Sequence, residues 1–190
     1  LDIAPIADGG EGFGESLAVA LGGEWVTLRS SDALGRPIET RYAWLAREKL
    51  AVIEMSEASG LHRIRPEERD PLRADTFGTG VLLVDAVARG ARRVLVGLGG
   101  SATSDGGAGL ARALGFRFMN GDGCAFSPSP GTMESLVRIE RPVDLRLPEI
   151  IAACDVQNPL LGERGAARVY SPQKVADARA VEIIESALTR

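Results

Sequence analysis

The sequence predicts an α/β fold on a Rossmann-like parallel or mixed sheet, and three observations carry that prediction. Strand-like, β-branched stretches alternate with helix-like stretches along the 190 residues. The first third holds three strand-like runs joined by short turns, the pattern of an antiparallel meander. Further on, Val94 to Gly109 reads as a buried strand that passes into a glycine-rich loop and then directly into a helix. Helices set between β-branched strands argue for parallel pairing in the middle of the sheet.

The elements follow in order. Gly14 to Leu21 has helical character and stops at Gly22-Gly23, where a C-terminal glycine ends a helix. Trp25 to Arg29 and Ile38 to Leu45 are strands around the turn residues Ser31 to Pro37, and Leu50 to Met55 is a third. Thr76 to Ala88 reads as a helix with an apolar face, ended by Gly90. Arg93 to Leu98 is the strand before the glycine loop, and Ala108 to Leu114 the helix after it. Asn120-Gly121-Asp122-Gly123 carries hairpin-turn chemistry, Ile150 to Cys154 is a short buried strand, and Ala176 to Leu188 a closing helix. Charge and proline cluster between Pro66 and Pro71, which places a boundary there: an N-terminal α/β portion over 1–68 and a second, carrying the glycine loop, over 69–190.

Composition excludes several classes. A net charge of −4 with mixed signs predicts neither a nucleic-acid face nor a polybasic membrane anchor. Apolar runs such as Val81 to Val84 are far too short for a membrane span. Two cysteines without metal-ligand spacing, Cys124 and Cys154, fit a reducing, cytoplasmic setting. A single histidine, His62, rules out two-histidine chemistry and reads as a surface-loop residue.

Chemistry concentrates in four clusters. Six glycines fall in the thirteen residues from Gly97 to Gly109, a density that implies close approach of another group. A strand–loop–helix junction presents backbone N–H groups and a helix dipole to an anion, so Gly99, Gly100, Ser101, Thr103, Ser104 and Gly106 are the expected phosphate contacts. Asp105 is the carboxylate of that loop; it suits metal binding or proton transfer, or else a helix N-cap. The second cluster, Ala7 to Gly12, sets Asp8 and Glu11 around Gly9 and Gly10 ahead of a helix, where both acids could equally neutralise the helix terminus. The third, Asp155 to Leu160, puts Asp155 and Asn158 just past a buried strand, the position at which open α/β sheets bind ligands. The fourth, Ser171 to Lys174, adds a lysine beside a proline-fixed turn. Acids for a divalent ion, glycine loops for phosphate and a lysine for charge together meet the needs of phosphoryl transfer. The Gly-x-Gly-x-x-Gly register of nicotinamide binding is not cleanly met around Gly97.

These clusters, with Ala58-Ser59-Gly60-Leu61 and Thr76-Phe77-Gly78-Thr79-Gly80, resemble the signatures of the glycerate kinase family of bacterial glycerate 2-kinase type, from one end of the chain to the other. The resemblance implies two α/β domains around a cleft and transfer of a phosphoryl group from ATP, with Mg²⁺, to D-glycerate. The product would be 2-phosphoglycerate or 3-phosphoglycerate, with ADP. Asp8, Asp105 and Lys174 are then the expected catalytic residues, and Asp155 and Glu11 the expected metal ligands. Gly9, Gly10, Asn158 and the glycine-loop residues would hold substrate and phosphate. Arg63, Arg65 and Arg73 are further cations near the signatures. The expected partners are D-glycerate and ATP, with a homodimer left open.

The sequence departs from that pattern at a few points. Phe13 stands where the family usually has Thr, Gln157 where it has Asp, and Ser171 and Val175 where it has glycines. The lysine-bearing first strand of the family is absent, so the resemblance implies an incomplete chain. Its alternative is a catalytically inactive, truncated anion- or nucleotide-binding domain of the same family.

Overall fold

The structure, a computed structural model, describes residues 9–190. Asp8 and the residues before it lie outside the described part. The chain runs through helix α1 (Phe13–Leu21) and strands β1 (Glu24–Ser31), β2 (Pro37–Leu45) and β3 (Leu50–Glu54), then a short helix α2 (Ser56–Ser59). Helix α3 (Phe77–Ala88), strand β4 (Arg93–Gly97) and helix α4 (Ala108–Ala113) form the strand–loop–helix region. Strands β5 (Arg117–Met119), β6 (Ala125–Phe126), β7 (Arg138–Glu140) and β8 (Glu149–Ala153) follow, then helices α5 (Ala166–Tyr170) and α6 (Ala178–Thr189).

Five strands make the main sheet, in the order β1-β2-β3-β4-β8. The expected meander is present: β1 pairs antiparallel with β2, and β2 with β3. β3, β4 and β8 are parallel, with Leu50 opposite Arg93 and Gly97 opposite Ala153. Because α3 joins β3 to β4, this sheet runs across the boundary expected near Pro66 to Pro71. Residues Pro66–Glu68 in that segment form a 3₁₀ turn, tied down where Glu68 meets Arg36 and Arg65. The Asn120 turn closes a hairpin in a separate three-stranded sheet, β6-β5-β7, whose strands are too short to show a period in the sequence.

The sheet is packed on both faces over β2, β3 and β4, whereas β8, expected from the sequence to be buried, is exposed over residues 149–152. One cluster joins Tyr42, Ile53, Val94 and Val96 to Leu82 and Leu83 of α3. The other face packs Ala43, Leu45, Leu50 and Val52 against Phe13 and Ala18 of α1. Phe13, the departure from the family pattern, is therefore a core residue: its ring lies 2.8 Å from where a Cβ on Gly97 would stand. Burying a phenylalanine ring contributes about 2 kcal/mol or more.

Candidate functional site

β4 and β8 are parallel neighbours, so the loops leaving their carboxyl ends emerge side by side, and a cleft of about 480 Å³ opens there. The β4–α4 loop, the stretch following β8, α5 and the turn Pro172–Lys174 line it, joined by Gly10 and by Leu188 of α6. The sequence-predicted residues Gly10, Gly99, Gly100, Ser101, Thr103, Ser104, Gly106, Asp155 and Lys174 all lie on this cleft.

Lys174 organises it. The side chain is 5 % exposed, and Nζ donates to the Thr103 carbonyl, to Ser104 Oγ at 3.2 Å and to Ser101 Oγ at 3.4 Å. Burial pushes the ammonium down to about 8, partly offset by the attraction of Asp105. Ser171, where the family pattern has glycine, is fully buried and its hydroxyl stands 3.4 Å from Ser104 Oγ, behind the same group. Lys174, Ser101 and Ser104 together make a cationic, hydroxyl-rich patch, suited to a phosphate or carboxylate.

Asp105 takes one of the roles that the sequence left open for it. It is 4 % exposed, and its carboxylate already accepts four hydrogen bonds: from Thr76 N at 2.9 Å, Thr76 Oγ1 at 2.8 Å, Gly109 N at 2.9 Å and Gly107 N at 3.2 Å. Those donors belong to the starts of α3 and α4. The anion at the α4 terminus is thus the protein's own carboxylate, and an incoming phosphate does not find those N–H groups vacant. Of the readings weighed for Asp105, the geometry is that of a helix cap.

The glycine density also has an internal component. A Cβ on Gly99 would lie 2.5 Å from Gly10 Cα, and Gly99 N donates to Gly9 O at 2.9 Å. Two backbones touch here, which only glycine permits. Gly106, at φ +60°, is needed for the turn into α4 and borders the cleft as well.

The remaining predicted residues separate. Glu11 is exposed, its Oε1 lies 3.2 Å from His62 Nδ1, and its side chain stands 3.7 Å from where a Cβ on Gly100 would be. Asn158, not among the cleft-lining residues, accepts from Tyr170 Oη of α5 at 2.6 Å and donates one amide N–H to the Arg164 carbonyl. Arg63 pairs with Glu57, and Arg65 with Glu67 and Glu68, away from the cleft. Among the described residues no three His, Cys, Asp or Glu side chains converge on a point that could hold a metal ion. No helix among them is long and apolar enough to cross a membrane.

Two residues escaped the sequence reading. Glu54, 8 % exposed at the end of β3, accepts from Gly12 N, Gly14 N and Ser56 Oγ and so caps α1. An acid closing an otherwise apolar strand is the signal that could have found it. Tyr170 lines the cleft beside Val156 and Leu160, and nothing in its sequence neighbourhood marks it.

The description "Glycerate kinase family" belongs to the family model that matches residues 1–190. A glycerate kinase of Halalkalibacterium halodurans is 43 % identical over 98 % of this chain and 50 % of its own length. The glycerate 2-kinase of Escherichia coli is 40 % identical over 94 % of this chain and 48 % of its own. A crystal structure of a glycerate kinase 2 from Salmonella typhimurium LT2 matches with a TM-score of 0.94 at 40 % identity, covering 98 % of this chain and 52 % of that one. The chain spans about half the length of the curated relatives it matches. With its length matched from first residue to last, the chain belongs to the glycerate kinase family.

Proposed function

We propose that the protein transfers the γ-phosphoryl group of ATP to D-glycerate, giving 2-phosphoglycerate and ADP, and that the cleft at β4 and β8 is where the phosphates lie. The observation that supports this most directly is the buried Lys174 ammonium converging with Ser101 and Ser104 inside a ligand-sized cleft. Choice of the 2-hydroxyl follows the name of the Escherichia coli relative.

Phosphoryl transfer asks a protein mainly for positioning and charge stabilisation. An oxygen–phosphorus bond forms from the glycerate hydroxyl, whose proton passes to a cleft carboxylate or to solvent, as the bond from the γ-phosphorus to the bridging oxygen breaks and ADP leaves. Lys174 meets the charge on the phosphate oxygens, while Ser101 and Ser104 fix its direction and donate their own O–H groups. Asp155, on the cleft and exposed, is the described carboxylate able to orient the attacking hydroxyl or carry a metal ion. Mg²⁺ is held through one or two carboxylates plus substrate phosphates, so this single acid fits it, whereas Glu11 faces His62. When bound, the ion supplies neutralisation of phosphate charge. Asp8, outside the described residues, remains the second acid assigned from the sequence.

The test is Lys174→Met in the protein at its full encoded length, followed by ADP release with D-glycerate. Turnover is expected to fall by roughly 10²–10³-fold with the fold retained. Unchanged turnover would remove the cleft from the reaction.

A further inference from the structure

We infer that the apolar part of the cleft, made by Leu98, Val156, Leu160 and the Tyr170 ring, seats the purine base of the phosphoryl donor and distinguishes poorly between purines. This rests on the glycerate kinase reading for the donor, but not on turnover.

The cleft has two chemically distinct parts. Lys174, Ser101 and Ser104 form the polar one. Leu98, Val156 and Leu160 form the other, and each is substantially exposed, Leu160 at 54 %. Exposed aliphatic side chains gathered at the mouth of a cleft are a binding feature when they share it with a convergent polar group. D-glycerate cannot use them: it is a three-carbon hydroxy acid, and setting its hydroxyls and carboxylate against leucine would strip their water without replacing it. A flat purine ring gains from the same surface. Its phosphates are anionic, and the anion-binding patch lies in the same cleft, so one ligand with an apolar end and an anionic end matches both parts.

The lack of discrimination follows from the hydrogen-bond inventory. Leu98, Val156 and Leu160 offer no side-chain polar group. The Tyr170 hydroxyl gives its proton to Asn158 Oδ1, and Asn158 Nδ2 is given to the Arg164 carbonyl. Gln173 also lines the cleft and brings one amide to it. Beyond that amide the lining side chains next to the base hold few donors for reading a purine edge, and strong rejection of an analogue requires polar groups left unpaired by it.

The experiment uses the protein at its full encoded length, with ADP, GDP and IDP binding measured by calorimetry beside turnover of D-glycerate. The three affinities are expected within about tenfold of one another. Leu160→Ser should weaken all three about tenfold and leave the KM for D-glycerate unchanged. Leu161→Ser, beside it but off the cleft, should change neither. Rejection of GDP and IDP by more than a hundredfold, failure of ADP to bind, or a Leu160→Ser effect on D-glycerate alone would each overturn the inference. Normal nucleotide binding with no phosphorylation of D-glycerate would sustain the inference and defeat the proposed reaction.

Discussion

Glu54 and Asp105 serve two glycine-rich loops in the same way and are reached by different routes. Glu54 stands at the end of β3 and takes N–H groups some forty residues earlier in the chain, at the start of α1. Asp105 sits within its own loop and takes N–H groups from both α4, just beyond it, and α3, 29 residues away. Each replaces the side-chain cap that its helices lack: α1, α3 and α4 all start without a capping bond from their own N-cap residue. A buried carboxylate surrounded by N–H donors at helix termini is stabilised where it stands, and its chemistry is consumed by that role. Asp155, by contrast, is exposed on the cleft. An acid beside glycines is therefore ambiguous until its donors are counted.

The largest effect that would sharpen the comparison is on stability. Asp105→Ala leaves four donors without their partner and should lower the unfolding free energy by about 3–5 kcal/mol. Urea unfolding of the full-length protein measures it. A protein of normal stability that has lost its turnover would show Asp105 acting on substrate, and the parallel with Glu54 would break.

Glu54→Gln keeps one acceptor oxygen and turns the other into a donor facing the Gly14 N–H or its neighbours. The expected loss is smaller, about 2 kcal/mol. The signature lies in α1, whose amide protons should exchange faster than those of α3. Uniform exchange would mean that Glu54 contributes nothing specific to α1.

Lys174 gives a pH-dependent contrast between stability and binding. Its folded value of about 8 lies below the ordinary 10.5. Between those limits the unfolded chain holds a proton that the folded chain has released, so stability against unfolding rises with pH across the window. Anion binding moves the other way, because each pH unit above about 8 cuts the ammonium fraction tenfold, or about 1.4 kcal/mol. The KM of an anionic substrate should climb above pH 8 while Tm holds or rises. A KM flat to pH 9.5 would show that the ammonium does not meet the anion.

How much of this was legible follows from where each partner lies. The meander, parallel pairing in the middle of the sheet and the strand entering the glycine loop were expected from the sequence pattern, and the structure has these strands within a residue or two. Lys174 and Ser101 to Ser104 were visible as motif residues, though their convergence was not, since about seventy residues separate them. Asp105 was misleading because Thr76, which supplies two of its donors, is remote in sequence. The three-stranded sheet was hidden by strands of two and three residues, and α5 by its five-residue length. The apolar part of the cleft draws on Leu98, Val156, Leu160 and Tyr170, which no periodicity unites.

Val175 carries the smallest effect and tests the resemblance itself. It follows Lys174 directly and closes the Pro172–Lys174 turn at φ +70° and ψ +25°, a left-handed conformation that a β-branched residue adopts at a cost. The family pattern has glycine there, and the backbone explains why without any ligand: the turn that aims Lys174 into the cleft needs a left-handed residue after it. The valine side chain is mostly exposed, so little packing is lost on its removal. Val175→Gly should therefore stabilise the protein by about 1 kcal/mol, after the added unfolded-state freedom of glycine is set against the relief of strain. Thermal unfolding would register this as a Tm raised by a few degrees, with nucleotide affinity unchanged. A lowered Tm would mean that the valine packs against something in the full-length protein, and the glycine of the family pattern would then need a reason beyond backbone geometry.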